Sequence, residues 1–159
     1  MKQITRYQAQ KMLEAIEGMA LGHLDADNLE AVLDNCDILK AEIEKLDKMK
    51  KELGRRLYQG IELDRMIAFY KAQTSNDTET IAKDYADLAR LREKEIEVIV
   101  SLFNKVVDLD IREVDERSFV KAVLKAQPDT KMDAFDVLAP MFKAEEQEDD
   151  FSELDEITK

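Results

Sequence analysis

The sequence is poor in the residues that make tight turns and in those that form cross-links. Its 159 residues include four glycines, two prolines and one cysteine. An all-β fold needs a turn about every 8 to 12 residues, and so few turn residues cannot supply them. A single cysteine excludes an intrachain disulfide and fits a reducing compartment. The chain is therefore predicted to be mostly α-helical.

Long apolar runs are missing too. No segment reaches the roughly 18 consecutive apolar residues of a membrane-spanning helix. The first ten residues, MKQITRYQAQ, lack the apolar stretch of a secretory signal. We therefore expect a soluble protein that is located in the cytoplasm and makes no membrane contact.

The side chains of common catalytic and metal sites are scarce. Zinc needs three or four Cys or His ligands, and Cys36 and His23 are the only two such residues. His23 follows Gly22 in a predicted turn, and Cys36 falls on an apolar helix seam, where cysteine is usually a small buried hydrophobe. Glu-x-x-His pairs, calcium loops and glycine-rich phosphate loops are absent. We expect no enzyme activity, catalytic residue, cofactor or metal.

What the chain has in excess is negative charge. Its 36 acidic residues against 24 lysines and arginines give a net charge of −12, with no basic cluster free of acids. Direct nucleic-acid binding is therefore disfavoured. Residues 144–159 contain eight acids and one lysine, and such a run repels itself and cannot build a core. The sequence thus predicts a helical bundle domain over residues 1–143 and a flexible acidic tail over residues 144–159.

Apolar residues recur at helical spacing over most of residues 1–143. The first helix is predicted to begin at Thr5, whose spacing to Gln8 is that of a capping box, and to end near Gly22. A second box at Asp27 opens a longer helix that runs to about residue 58. Lys50 interrupts its apolar seam, which disfavours a long strict coiled coil.

The second half of the chain is predicted to return along this long helix. Residues 61–72 suggest a short helical extension, and a polar loop follows. A third helix is predicted from Thr78 to about residue 105. Two long helices with apolar stripes and a modest connection favour an antiparallel hairpin. The predicted fold class is therefore mostly α, a long antiparallel helical hairpin within a small bundle.

The pattern changes after Asn104. Apolar and charged residues alternate over residues 107–111, which is typical of a half-buried strand. Because a strand needs a partner, we predict a minor two-stranded pairing with residues 2–5. A short helix capped by Asp115 and a last helix over residues 131–142, which Pro140 should kink or shorten, complete the predicted domain.

Three segments in this order resemble a class of small phage and prophage proteins of unknown function. They are LKAEIEKLDKMKKELGRRL, LREKEIEVIVSLFNKVVDLDIREVD and MDAFDVLAPMF. The resemblance covers residues 29–142 and is clearest over residues 85–142, whereas residues 61–72 and the acidic tail depart from it. It implies a bacterial host cell and carries over no functional residue, because the class has no assigned activity.

Two functions fit these observations. The first is a non-enzymatic helical protein-interaction or assembly module, which binds a protein partner or its own copies through helical faces. The alternative is an acidic inhibitor that mimics DNA toward a nucleic-acid-binding host protein, since negative charge favours a basic partner. The candidate partner-binding residues lie in the tail: Glu145, Glu146, Glu148, Asp149, Asp150, Phe151 and Leu154.

Overall fold

The computed structural model describes residues 1–143 and 157–158. Within these residues the chain forms seven α-helices and one two-stranded sheet, which confirms the mostly helical fold with a minor β element. The elements in chain order are β1 (Lys2–Thr5), α1 (Arg6–Glu17), α2 (Ala26–Leu57), α3 (Leu63–Thr74), α4 (Thr78–Asp84), α5 (Ala86–Asn104), β2 (Val106–Leu109), α6 (Glu116–Ala126) and α7 (Met132–Asp136), followed by a 3₁₀ turn (Ala139–Met141).

The predicted strand pairing is present, although its second strand lies slightly earlier than expected. β1 and β2 are antiparallel, with Lys2 opposite Leu109 and Thr5 opposite Val106. A parallel bridge between Val114 and Phe142 brings the end of the described domain beside this region. The sheet thus joins the N-terminus to the segment that follows the helical hairpin.

Capping residues begin the first two helices as predicted, but the end of α1 and the start of α2 differ from the prediction. Thr5 caps α1 with the predicted box, but the helix ends at Glu17, where the N–H of Gly18 still bonds back into the last turn. α2 is capped by Asp25 and not by Asp27, because the Asp25 carboxylate accepts both the backbone N–H and the side-chain amide of Asn28.

The long helical hairpin is present, but its return arm is not one helix. α2 and α5 run antiparallel, and Tyr58 at the end of α2 lies 3.4 Å from Glu95 of α5. The predicted helix from Thr78 breaks at Tyr85, which has a non-helical φ of −129°. The Tyr85 ring packs 5.9 Å from the Phe69 ring of α3. The break therefore accompanies docking of α3 against the start of α5.

The main core lies at the end of the molecule that holds the sheet. It combines α1, the first half of α2, α6 and the closing segment, with Phe119 between the rings of Phe135 and Phe142. The last helix, predicted over residues 131–142, is shortened, which is one of the two effects expected of Pro140. It stops at Asp136, and Pro140 lies in a separate 3₁₀ turn, since proline cannot donate the N–H that a continuous helix requires.

Polar side chains tie these elements together. Arg6 is buried, and its guanidinium bonds Glu42 of α2 at 2.9 Å and the Leu102 carbonyl of α5 at 3.1 Å. The Gln127 amide accepts from the Ala20 N–H and donates to the Gly18 carbonyl. These contacts fix α1 against both arms of the hairpin and against the end of α6.

Candidate interaction surfaces

A cleft of about 500 Å³ lies beside β1. Residues 2–4 form one wall of this β1 cleft, and no β2 residue lines it, so the cleft is on the side of β1 that faces away from β2. Ala139 and Pro140 also line the cleft, and Phe135 and Phe142 contribute apolar surface.

A second cavity of about 630 Å³ continues the β1 cleft along α1. The two share Gln8, Asp136, Ala139 and Pro140, and the second cavity adds the exposed side chains of Tyr7 and Val137. The two cavities therefore adjoin each other between α1 and residues 135–143.

The hydrogen-bond register shows which backbone groups β1 presents to the cleft. The Arg6 N–H donates to the Lys105 carbonyl at 3.3 Å, which continues the β1–β2 register by one pair. Hydrogen-bonded pairs alternate along an antiparallel ladder, so Ile4 and Lys2 also bond to β2. Gln3 therefore directs its N–H and C=O away from β2. The N–H of Thr5 is taken by the Gln8 side chain at 2.8 Å.

The outer face of α3 carries a stripe of exposed apolar side chains. Leu63, Ile67 and Tyr70 follow one another at i, i+4 and i+7, and they are 72%, 43% and 66% exposed. The opposite face of α3 is held by buried Phe69 and by a two-bond ion pair between Arg65 and Asp87, at 2.7 and 2.8 Å. The α3 stripe is therefore presented on a fixed helix.

A row of carboxylates occupies the exposed face of the first half of α2. Asp27, Glu30, Asp34 and Asp37 recur every three or four residues, over about 15 Å of helix. Arg112 forms ion pairs with two of them, Asp34 and Glu30, which reduces the charge of the row.

The described residues contain no group of three or more His, Cys, Asp or Glu side chains placed to hold a metal ion. His23 is exposed in the turn between α1 and α2. Cys36 is half-buried against the core, and burial raises the pKa of its thiol, which disfavours the reactive thiolate.

The predicted partner-binding residues of the tail, from Glu145 to Leu154, lie outside the described residues. The β1 cleft and the exposure of the α3 stripe were not predicted from the sequence. The only signal for the stripe was that Leu63, Ile67 and Tyr70 share one side of a helix. Which side of α3 faces solvent depends on tertiary contacts, namely the burial of Phe69 and the ion pair between Arg65 and Asp87.

Comparison of the chain with protein-family models, curated proteins and solved structures finds no match. Among the described helices, none is both long enough and apolar enough to cross a membrane.

Proposed function

We propose that the protein is a non-enzymatic, phage-type helical module for protein interaction or assembly, acting in the cytoplasm of a bacterial host. The observation that carries this proposal is the α3 stripe of Leu63, Ile67 and Tyr70. Anchors at i, i+4 and i+7 are the pattern with which a helix binds an apolar groove, and here they are exposed to solvent on a helix whose opposite face holds the buried Phe69.

The magnitude of the stripe fits an interaction of moderate strength. Burial of an exposed Leu, Ile or similar side chain contributes about 1.5–3 kcal/mol. Three such residues, already partly covered, supply several kcal/mol toward the roughly 8 kcal/mol of a micromolar complex. The stripe is thus an anchor that needs additional contacts around it, and the net charge of −12 favours a basic partner for those contacts.

Affinity capture from the source cell with matched variants tests this proposal. Leu63→Ser combined with Tyr70→Ser removes both ends of the stripe, which are its two most exposed side chains. Leu33→Ser is the control, because Leu33 is 50% exposed but stands on α2, apart from the stripe. Proteins that wild type and the control retain, and that the α3 variant loses, support the proposal. Identical captures by all three would contradict it.

Sedimentation velocity at rising concentration tests whether the partner is a second copy. Concentration-dependent association that the α3 variant abolishes would identify self-assembly as the function of the stripe. The same series at low and high salt is informative, because an apolar contact is less sensitive to salt than a charged one.

The second candidate is the DNA-mimic inhibitor, favoured by the carboxylate row on α2. We place it second because Arg112 pairs with two of the four carboxylates. Its test is competition: a captured nucleic-acid-binding protein should be displaced by duplex DNA and released at high salt. Capture that persists under both conditions would exclude mimicry.

A further inference from the structure

We propose that the β1 cleft binds an extended, charge-neutral peptide segment of another protein, which adds to β1 as a third strand. This proposal goes beyond the helical interaction above and uses a different surface, since no α3 residue lines the cleft.

The first support is the unpaired edge of β1. Gln3 directs its backbone N–H and C=O away from β2, and the adjacent Thr5 N–H is already bonded to Gln8. The backbone N–H and C=O of Gln3 can thus both bond to one residue of an added strand. An extended segment beside it gains two main-chain hydrogen bonds, which is how strand addition provides affinity.

The second support is the size of the cleft. One residue of a packed strand occupies about 3.4 Å along the strand, 4.8 Å across it and 10 Å in depth, or roughly 160 Å³. A cleft of about 500 Å³ therefore accommodates roughly three extended residues. A second copy of β1 does not fit, because its own β2 and α1 would have to enter with it.

The chemistry of the walls identifies the segment that fits. Among the residues that the structure describes, two lysines, Lys2 and Lys143, and two acids, Glu116 and Asp136, line the cleft. Their charges balance on a domain whose residues 1–143 carry −5. This local neutrality favours an uncharged segment over a basic one.

Side-chain selectivity follows from the alternation of a strand. Successive side chains point to opposite faces, so one residue can contact the apolar surface of Phe135 and Phe142 while its neighbours point to the lysines and acids. The adjoining cavity beside Tyr7 and Val137 can receive a further apolar side chain of the same segment.

The test begins with selection from a displayed library of random octapeptides against the full chain. Binding of the enriched peptides is then measured by fluorescence anisotropy. Gln3→Pro removes the outward N–H without touching the ladder to β2, and proline is tolerated on an edge strand. Gln3→Ala is its control, because it keeps the N–H. Ala139→Arg fills the cleft, and Ala126→Arg, at the exposed end of α6, is the matched surface control.

We expect Gln3→Ala and Ala126→Arg to bind like wild type. Gln3→Pro should weaken binding roughly three- to tenfold, the value of one net hydrogen bond, and Ala139→Arg should weaken it more than tenfold. Amide exchange of Gln3 in the wild-type protein should slow at saturation, a measurement that needs no variant to fold.

Three results would overturn the proposal. They are the absence of any enriched peptide, equal binding to Ala139→Arg and Ala126→Arg, and unchanged exchange of the Gln3 amide in the complex. None of them bears on the α3 stripe, because none of these substitutions touches α3.

Discussion

Replacement of Asn35 by alanine should destabilise the protein by about 2 kcal/mol. Asn35 is fully buried on α2, its Nδ2 donates to the Arg112 carbonyl at 2.9 Å, and its Oδ1 accepts from the Arg112 N–H at 2.7 Å. The side chain thus acts as a strand partner for the segment after β2. Two net hydrogen bonds are worth about 0.5–1.5 kcal/mol each, and the lost buried atoms add to this cost.

Urea unfolding followed by far-ultraviolet circular dichroism measures this loss. In a thermal unfolding experiment, a loss of about 2 kcal/mol in a chain of this size lowers the melting temperature by roughly 4–8 °C. A decrease below about 0.5 kcal/mol, the low end for a single hydrogen bond, would refute the inference that Asn35 holds the Arg112 backbone.

Asn35→Asp should make the stability of the protein depend on pH. A protonated carboxyl can still accept from the Arg112 N–H and donate to its carbonyl, whereas a carboxylate cannot donate. Burial raises the pKa of such a carboxyl in the folded protein. The stabilising contribution of the protonated side chain is therefore fully present at a pH below about 3.9, the pKa in the unfolded chain, and it is lost as the pH rises through the folded pKa. Its deficit relative to wild type should grow between pH 4 and pH 7, and a shrinking deficit would contradict this account.

The remaining predictions concern two glycines, one ion pair and the single cysteine. Gly54→Ala should stabilise the protein by about 0.5–1 kcal/mol, because a Cβ at this position of α2 meets only the Glu95 Oε2, at 3.5 Å. Gly60→Ala should destabilise the protein by about 1 kcal/mol, because Gly60 has a φ of +83°. Urea unfolding measures both changes. Arg65→Gln should raise the pKa of Asp87, which the Arg65 ion pair holds at about 2, as followed by carboxyl NMR titration. Cys36 should react with a disulfide reagent more slowly than free cysteine, since burial raises the pKa of its thiol.

Unchanged stability in Gly60→Ala would contradict strain at this positive φ. A loss of stability in Gly54→Ala would show that Glu95 cannot move aside. The Asp87 pKa is lowered, so its contribution to stability is present above the unfolded value and lost as the pH falls toward about 2. Arg90→Gln, at an exposed arginine of α5, is the control, and an equal shift of the Asp87 pKa in both variants would rule out a specific ion pair. A thiol as reactive as free cysteine would contradict burial of Cys36.

The helices could be predicted because their apolar spacing and capping residues are local properties. Thr5 and Asp115 are N-caps as expected, since each side chain needs only a free N–H three residues later. The break at Tyr85 could not be predicted in this way. No glycine or proline marks it, and the Tyr85 ring contacts Phe69 and Arg65 of another helix, so tertiary contacts prevail over local propensity there.

The candidate surfaces were harder to predict from the sequence than the helices, because they depend on tertiary contacts. The apolar residues of α3 were visible in the sequence, but burial of Phe69 decides that Leu63 and Tyr70 face solvent. The strand pairing of residues 2–5 was predictable from alternation at residues 107–111, whereas the direction of the Gln3 backbone groups follows only from the observed register.

The exposed edge of β1 is limited by the same residues that begin α1. Open strand edges invite uncontrolled pairing between chains, and here the edge is short, because β1 has four residues. Gln8 closes it on one side: its side chain accepts from the Thr5 N–H as part of the α1 capping box. Ala139 and Pro140 line the same cleft as Gln3. The outward N–H and C=O of Gln3 are thus the one open part of this short edge, and they lie at the cleft where the proposed third strand would bind.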